Sequence, residues 1–246
     1  MGSQAGQRWA ERLVAHRGLA ASFPENTLAS VRGALEAGAR RVEIDVQLTA
    51  DLVPIVFHDA TLQRLCGVGG SVLATPWREL QKLRASEPGR FGTRFADERI
   101  AHLADFAALV ASFGAHAYVE LKGESLARFG DDTLLDAVRA PLEQLTGSCT
   151  LISFELPVLA RAKERLPHPV GPVLKEWSDL ERPELVRLAP EVVFADDLKL
   201  PPGPVHALAP LCVYEVQLAQ RARELVERGV ALIETFHVER LLAELE

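Results

Sequence analysis

The acidic pair in Arg41-Val42-Glu43-Ile44-Asp45-Val46-Gln47 is the part of this sequence most able to do chemistry. The stretch alternates polar and apolar residues, the period of a β-strand, so Glu43 and Asp45 share one face and Val42, Ile44 and Val46 the other. Two carboxylates on an inward face repel each other and lose hydration, which costs several kcal/mol unless a cation or protons neutralise them. A hard divalent ion with oxygen ligands answers both problems. Other reactive residues follow apolar stretches: His16-Arg17 after Arg12-Leu13-Val14-Ala15, and His58-Asp59 after Pro54-Ile55-Val56-Phe57. Glu120 and Lys122 share a face of Ala117-Tyr118-Val119-Glu120-Leu121-Lys122. Taken singly, a histidine at a strand end is a solvated residue and a Glu-x-Lys is an ordinary salt bridge. Their joint placement at strand ends points to a site.

The elements that must position these groups follow from the periodicity. Pro24-Glu25-Asn26-Thr27 reads as a helix start with Asn26 or Thr27 as N-cap. Leu28, Val31 and Leu35 then recur at helical spacing, and Gly38 stands where a helix closes. Thr49-Ala50-Asp51 turns the chain. From about 61 to 100 the periodicity fades among Gly67, Gly69, Gly70, Pro76, Pro88, Gly89 and Gly92, a stretch too long for a plain connector and read as a small inserted subdomain. Leu103, Phe106, Ala107 and Val110 mark an amphipathic helix. A regular beat follows: helix from about Thr133 to Leu145, strand Cys149–Phe154, helix Pro157–Arg165, strand Val170–Leu174, helix Leu180–Leu188, strand Val192–Ala195. Strand Leu211–Tyr214, helix Gln220–Arg228, strand Val230–Ile233 and a closing helix from Val238 complete it. These strand stretches number nine, most followed by a helix, with Glu120 and Lys122 in the fourth. Such alternation implies parallel pairing, and eight units close into a (β/α)8 TIM barrel. No Gly-rich dinucleotide fingerprint follows the first strand to favour an open doubly wound sheet. In a parallel barrel the apolar face of each strand needs the helices, so Glu43 and Asp45 must point inward.

The bulk numbers narrow the function classes. With 246 residues and 48% hydrophobic composition, the chain supports one sizeable core, and residues 1–246 are read as one domain. Lys+Arg 27 against Asp+Glu 34 gives −7 with no basic block, which argues against nucleic acid as a partner. There is no apolar run of signal-peptide or transmembrane length, and Met1-Gly2-Ser3-Gln4-Ala5-Gly6 lacks the hydroxyl residue of a myristoylation signal, so no stable membrane anchor is expected. Cys66, Cys149 and Cys212 have no zinc spacing and read as reduced thiols of a cytoplasmic protein.

Taken together, His16-Arg17-Gly18, Pro24-Glu25-Asn26-Thr27, Glu43-Ile44-Asp45, Thr49-Ala50-Asp51, His58-Asp59 and Glu120-Leu121-Lys122 resemble the glycerophosphodiester phosphodiesterase family in order and spacing. The likeness continues through Ile152-Ser153-Phe154 to the last strand and is nearest to the short cytoplasmic bacterial type. The resemblance implies a TIM barrel with a small insertion, acting on small-molecule glycerophosphodiesters as monomer or homodimer. It implies that Glu43, Asp45 and Glu120 bind one divalent cation, Mg2+ or Ca2+. It further implies that His16 and His58 are the general acid/base pair, read here as base and acid respectively, and that Arg17 and Lys122 contact the phosphate.

This chain departs from the family pattern at the rim. Glu215-Val216-Gln217 stands where Thr-Val-Asn is usual, Glu234-Thr235-Phe236 where Thr-Asp is usual, and His102 where a proline often precedes the next helix. Two further readings fit the same residues. A lysophospholipase-D-like enzyme would want an apolar groove, for which Trp77, Phe91, Phe95 and Phe236 are the candidates; a non-catalytic phosphodiester-binding barrel would take Glu215 and Phe236 as signs of decay. A metal-dependent amidohydrolase-type barrel would want an HxH pair on its first strand, which His16-Arg17-Gly18 does not supply.

Overall fold

Ten strands form one sheet in the computed structural model, which describes residues 9–245. The Met1–Gly6 stretch read for a lipidation signal lies outside the described residues. In chain order the strands are β1 (Leu13–His16), β2 (Arg41–Leu48), β3 (Pro54–Val56), β4 (Ala101–His102) and β5 (His116–Leu121). There follow β6 (Cys149–Ser153), β7 (Val170–Pro172), β8 (Val193–Asp196), β9 (Leu211–Tyr214) and β10 (Leu232–Thr235). Eight of them run parallel in the order β7-β6-β5-β2-β1-β10-β9-β8, and a parallel bridge from Val173 to Phe194 brings the two ends together. This is the expected (β/α)8 barrel. Among the described residues, no helix is long and apolar enough to cross a membrane.

The strand count needs one correction. Pro54–Val56 pairs antiparallel with β2, and β4 pairs antiparallel with β3, so neither belongs to the barrel wall. Glu120 therefore lies in the third barrel strand rather than the fourth, and Lys122 directly follows that strand. The reason is the connection. A parallel crossover needs a dozen or more residues, and only Thr49 to Val53 separate β2 from β3. That link is a tight turn: the Leu52 amide donates to the Thr49 carbonyl (3.0 Å), the Val53 amide donates to Thr49 Oγ1 (3.0 Å), and Leu52 sits at φ 64°.

Side-chain alternation divides the core as the sequence pattern requires. Val42, Ile44 and Val46 of β2 pack outward with Val31, Ala34 and Leu35 of the helix Leu28–Glu36 and with Phe106 of the helix Leu103–Phe113. Fully burying a side chain of this size is worth about 1.5–3 kcal/mol. Inside the barrel a second cluster joins Val14, Tyr118, Ile152, Val173, Val192, Phe194, Cys212 and Leu232. Residues 61–100 carry short helices at Gln63–Cys66, Trp77–Leu80 and Pro88–Phe91, and a third cluster of Ile55, Phe57, Leu62, Leu65, Val72, Leu80, Ala85 and Ile100 covers β3.

Helix ends explain several local choices. Thr27, not Asn26, is the N-cap of Leu28–Glu36, its hydroxyl accepting from the Ser30 amide at 3.1 Å. His102 caps the helix Leu103–Phe113, its Nδ1 accepting from the Ala104 amide at 2.9 Å, which gives that departure a structural role. The helix expected from Thr133 runs from Asp131 to Leu142, and a separate helix, Gly123–Phe129, precedes it.

Gly18 joins β1 to the first helix at φ 80°, and a Cβ there would lie 2.6 Å from the Ser30 carbonyl carbon and 2.7 Å from the Val31 nitrogen. Backbone on the far side leaves nothing soft to give way. Gly18→Ala is expected to cost at least about 2 kcal/mol and to lower the melting temperature by several degrees, read by thermal denaturation; an unchanged melt would contradict this account of the turn.

Candidate active site

Strand register brings the reactive residues to one end of the barrel. His16 lies opposite Glu43 across β1 and β2, and Asp45 lies opposite Glu120 across β2 and β5. His16, Arg17, Glu43, His58, Glu120 and Lys122 all line a single cavity of about 120 Å3. Asp45, 1% exposed, lies beneath them. All seven residues singled out in the sequence are thus brought together, on the C-terminal rim where barrel sites form.

Asp45 is the anchor. Its Oδ2 accepts from Asn26 Nδ2 at 2.8 Å and lies 3.1 Å from Arg17 Nε, while its Oδ1 lies 3.3 Å from Lys122 Nζ. Burial works to raise its pKa, but Arg17 and Lys122 outweigh burial and hold the carboxyl well below the usual range. Glu120 pairs with Lys122 at 2.9 Å, yet burial and then the Asp45 charge push it up to about 7. Glu43 is driven well upward by burial, then by Asp45 and Glu234, and its Oε1 has no hydrogen-bond partner. Its Oε2 accepts from the Arg17 amide at 3.1 Å. One oxygen from each of Glu43, Asp45 and Glu120 lies within 4.8 Å of the others. An all-oxygen set with an orphaned, destabilised carboxylate is what a hard divalent cation fits.

The two histidines sit in different surroundings. His16 is 8% exposed, its pKa lowered by burial and then by Arg17. Its ring stacks on Phe236, centroids 4.4 Å apart and planes 7° from parallel, and its Nδ1 lies 3.8 Å from Glu215. His58 is more open, and its Nδ1 lies 2.7 Å from Asp59 Oδ1. Asp59 is held by Arg64, which also reaches Glu25 at 2.7 Å; Glu25 in turn holds Arg17 at 3.0 Å.

Some residues of the site escaped the sequence reading. Glu234 was seen only as a departure, yet it lies 2% exposed inside the barrel against Glu43 and His16. Period-two alternation along β10, which turns Leu232 and Glu234 inward together, was the available signal. Arg64 had none, because it reaches Glu25 from 39 residues away. None of the aromatics considered for a lipid groove lines this cavity. Trp77 meets His102, Phe91 and Phe95 pack on each other, and the rings lining the cavity are Phe154, Phe194 and Tyr214.

Removing charge from the two β2 acids should act oppositely on the metal-free protein. Asp45→Asn strips Arg17 and Lys122 of a buried partner and is expected to destabilise by up to about 3 kcal/mol. Glu43→Gln removes the repelled charge and is expected to leave the melting temperature unchanged or raised. Equal losses from both would refute this division of roles.

Comparison with known proteins places the chain. The family model described as the glycerophosphoryl diester phosphodiesterase family matches residues 16–231. A glycerophosphodiester phosphodiesterase of Caldanaerobacter subterraneus subsp. tengcongensis is 38% identical over 110 residues, 45% of this chain and 44% of that protein. Glycerophosphodiester phosphodiesterase 1 of Rattus norvegicus is 33% identical over 112 residues, 46% of this chain and 34% of the relative. The matched stretch thus spans less than half of either relative. In fold, the chain is similar to an Oleispira antarctica phosphodiesterase solved in complex with the product sn-glycerol-3-phosphate, with a TM-score of 0.81 and 23% identity over 98% of both chains. It is also similar to an Agrobacterium tumefaciens glycerophosphodiester phosphodiesterase, with a TM-score of 0.76 and 24% identity over 94% of this chain and 99% of the other. With a match running from His16 through the last barrel strands' approach, the chain belongs to the glycerophosphoryl diester phosphodiesterase family.

Proposed function

We propose that this protein hydrolyses glycerophosphodiesters to sn-glycerol 3-phosphate and an alcohol, using one divalent cation, Mg2+ or Ca2+. The observation that carries the reading is the convergence of Glu43, Asp45 and Glu120 with His16, His58, Arg17 and Lys122 around one small cavity. The product held by the Oleispira relative supports the substrate class. The cytoplasmic setting, small-molecule substrate and monomeric or homodimeric state belong to the same proposal, and the free thiols of Cys66, Cys149 and Cys212 suit that setting.

A phosphodiester is an anion, so the approach of a nucleophile requires its charge to be offset first. Bound by Glu43, Asp45 and Glu120, a divalent cation supplies Lewis-acid polarisation of a phosphoryl oxygen. Arg17 offers a planar fork and Lys122 a point charge to the equatorial oxygens as their charge grows. His16, kept neutral by burial, takes the proton of the nucleophile, either the substrate's own glycerol hydroxyl or water. An ionised Asp59 only accepts, so it fixes a proton on His58 Nδ1 and leaves Nε2 to pass a proton to the departing alkoxide. A wider groove of about 700 Å3 continues past Glu120, Lys122 and Phe154 and is lined by Glu124, Asp131 and Glu155. Those carboxylates favour a neutral or cationic leaving alcohol over an anionic one.

The test is release of glycerol 3-phosphate from glycerophosphocholine, glycerophosphoethanolamine and glycerophosphoglycerol. Release should cease in excess chelator and return with Mg2+ or Ca2+; full activity in chelator would refute the cation's role. His16→Ala and His58→Ala should each lower turnover about 10²–10⁴-fold, and a loss under about threefold would remove that residue from proton transfer. Glycerophosphoserine, with its added carboxylate, should turn over more slowly than glycerophosphoethanolamine; equal rates would detach the acidic groove from specificity.

A further inference from the structure

We propose that His16, Glu43 and Glu234 form a second cation position, suited to a borderline-soft ion of the Zn2+ class and sharing Glu43 with the trio of Glu43, Asp45 and Glu120. The three come from the ends or inner faces of β1, β2 and β10, with Val14 opposite Glu234 and His16 opposite Glu43. Each is more than nine-tenths buried, at 8%, 2% and 2% exposure.

Unmet bonding marks this spot. His16 Nδ1, Glu43 Oε1 and Glu234 Oε1 are buried polar atoms without a hydrogen-bond partner. Leaving such a group unpaired costs about 1–3 kcal/mol, and more when it is charged. The side chains of His16, Glu43 and Glu234 line one cavity. Their donor atoms lie within 4.8 Å of one another, so some point lies no more than about 2.8 Å from all three. An inward shift of about 0.7 Å each reaches the ~2.0–2.1 Å of zinc bonds to nitrogen and oxygen. Acids flank both ring nitrogens of His16: Glu43 Oε2 lies 3.7 Å from Nε2, and Glu215 Oε1 lies 3.8 Å from Nδ1 at the mouth.

The donors differ in kind from those of the first trio. Three carboxylates suit Mg2+ or Ca2+, whereas an imidazole with two carboxylates suits zinc and its neighbours. Charge also leaves room for a second ion. Were Glu43, Asp45, Glu120, Glu215 and Glu234 all ionised beside Arg17 and Lys122, one divalent ion would leave a net negative charge even before an anionic substrate arrives. Resting on the proposed reaction, one consequence follows: an ion on His16 occupies the nitrogen that would accept a proton, so Zn2+ slows turnover.

Calorimetric titration of Zn2+ into protein saturated with Mg2+ tests the site directly. Wild type should bind one Zn2+ without releasing Mg2+. Glu234→Gln should weaken Zn2+ at least about tenfold and keep Mg2+, while Glu120→Gln should do the reverse. His16→Ala, read in the same titration, should lose Zn2+ as Glu234→Gln does and provides a second test should Glu234→Gln fold poorly. Zn2+ displacing Mg2+ one for one, or binding that ignores both Glu234 and His16, would overturn the proposal. If Zn2+ binds in this pattern but no substrate is cleaved, the proposed reaction falls and this site stands. If substrate is cleaved and Zn2+ ignores Glu234, the outcome is the reverse.

Discussion

Like charges confined in an apolar tube set the terms for this molecule. Glu43, Asp45, Glu120 and Glu234 all face the same buried space. A barrel interior cannot hydrate them, and packing cannot neutralise them. Arg17 and Lys122 answer part of the problem by closing on Asp45. What they leave over appears on Glu43, Glu120 and Glu234, each pushed upward first by burial. The residual repulsion is the energy available for holding a cation, and the same surplus explains why two fixed cations accompany the acids. Function and instability here have one source.

The backbone makes that crowding unavoidable. Parallel register places Asp45 beside Glu120 and His16 beside Glu43, and alternation forbids either acid of β2 from turning outward without expelling Val42 or Ile44 from the helical layer. Support comes from farther along the chain. Asn26 grips Asp45 from the turn before the first helix, and Arg64 of the insertion ties Asp59 and Glu25 together. The insertion is built on β3, itself a continuation of β2, so the strand that carries the acids also anchors the segment that braces them.

Much of this was legible in sequence because it is periodic. The alternation of β2 fixed the inward face of Glu43 and Asp45, and the strand–helix beat named the barrel. Histidines and acids at strand ends marked the rim. Two kinds of information were not periodic and were missed. Pro54–Phe57 has the composition of any buried strand, and only the length of the link after Leu48 tells that it must return antiparallel. Contacts such as Arg64 to Glu25, or Asn26 to Asp45, depend on how loops fold over the rim, which no local pattern encodes. Glu234 lay between these cases: its inward direction was readable from β10, but its nearness to Glu43 required the closed ring.

The stacking of His16 on Phe236 has a consequence for the motion left to the imidazole. Two rings 4.4 Å apart and nearly parallel resist tilting, because tilting drives one edge into the neighbour. A half-turn about the Cβ–Cγ bond is different: it returns the ring to the same plane with its nitrogens where ring carbons had been. The stack therefore acts as a bearing rather than a clamp. It holds the orientation of the plane while leaving open which edge of the ring presents a lone pair to the cavity. In this chain, an aromatic ring in place of an acid gives the histidine two settings of nearly equal packing, told apart only by what each nitrogen finds opposite it.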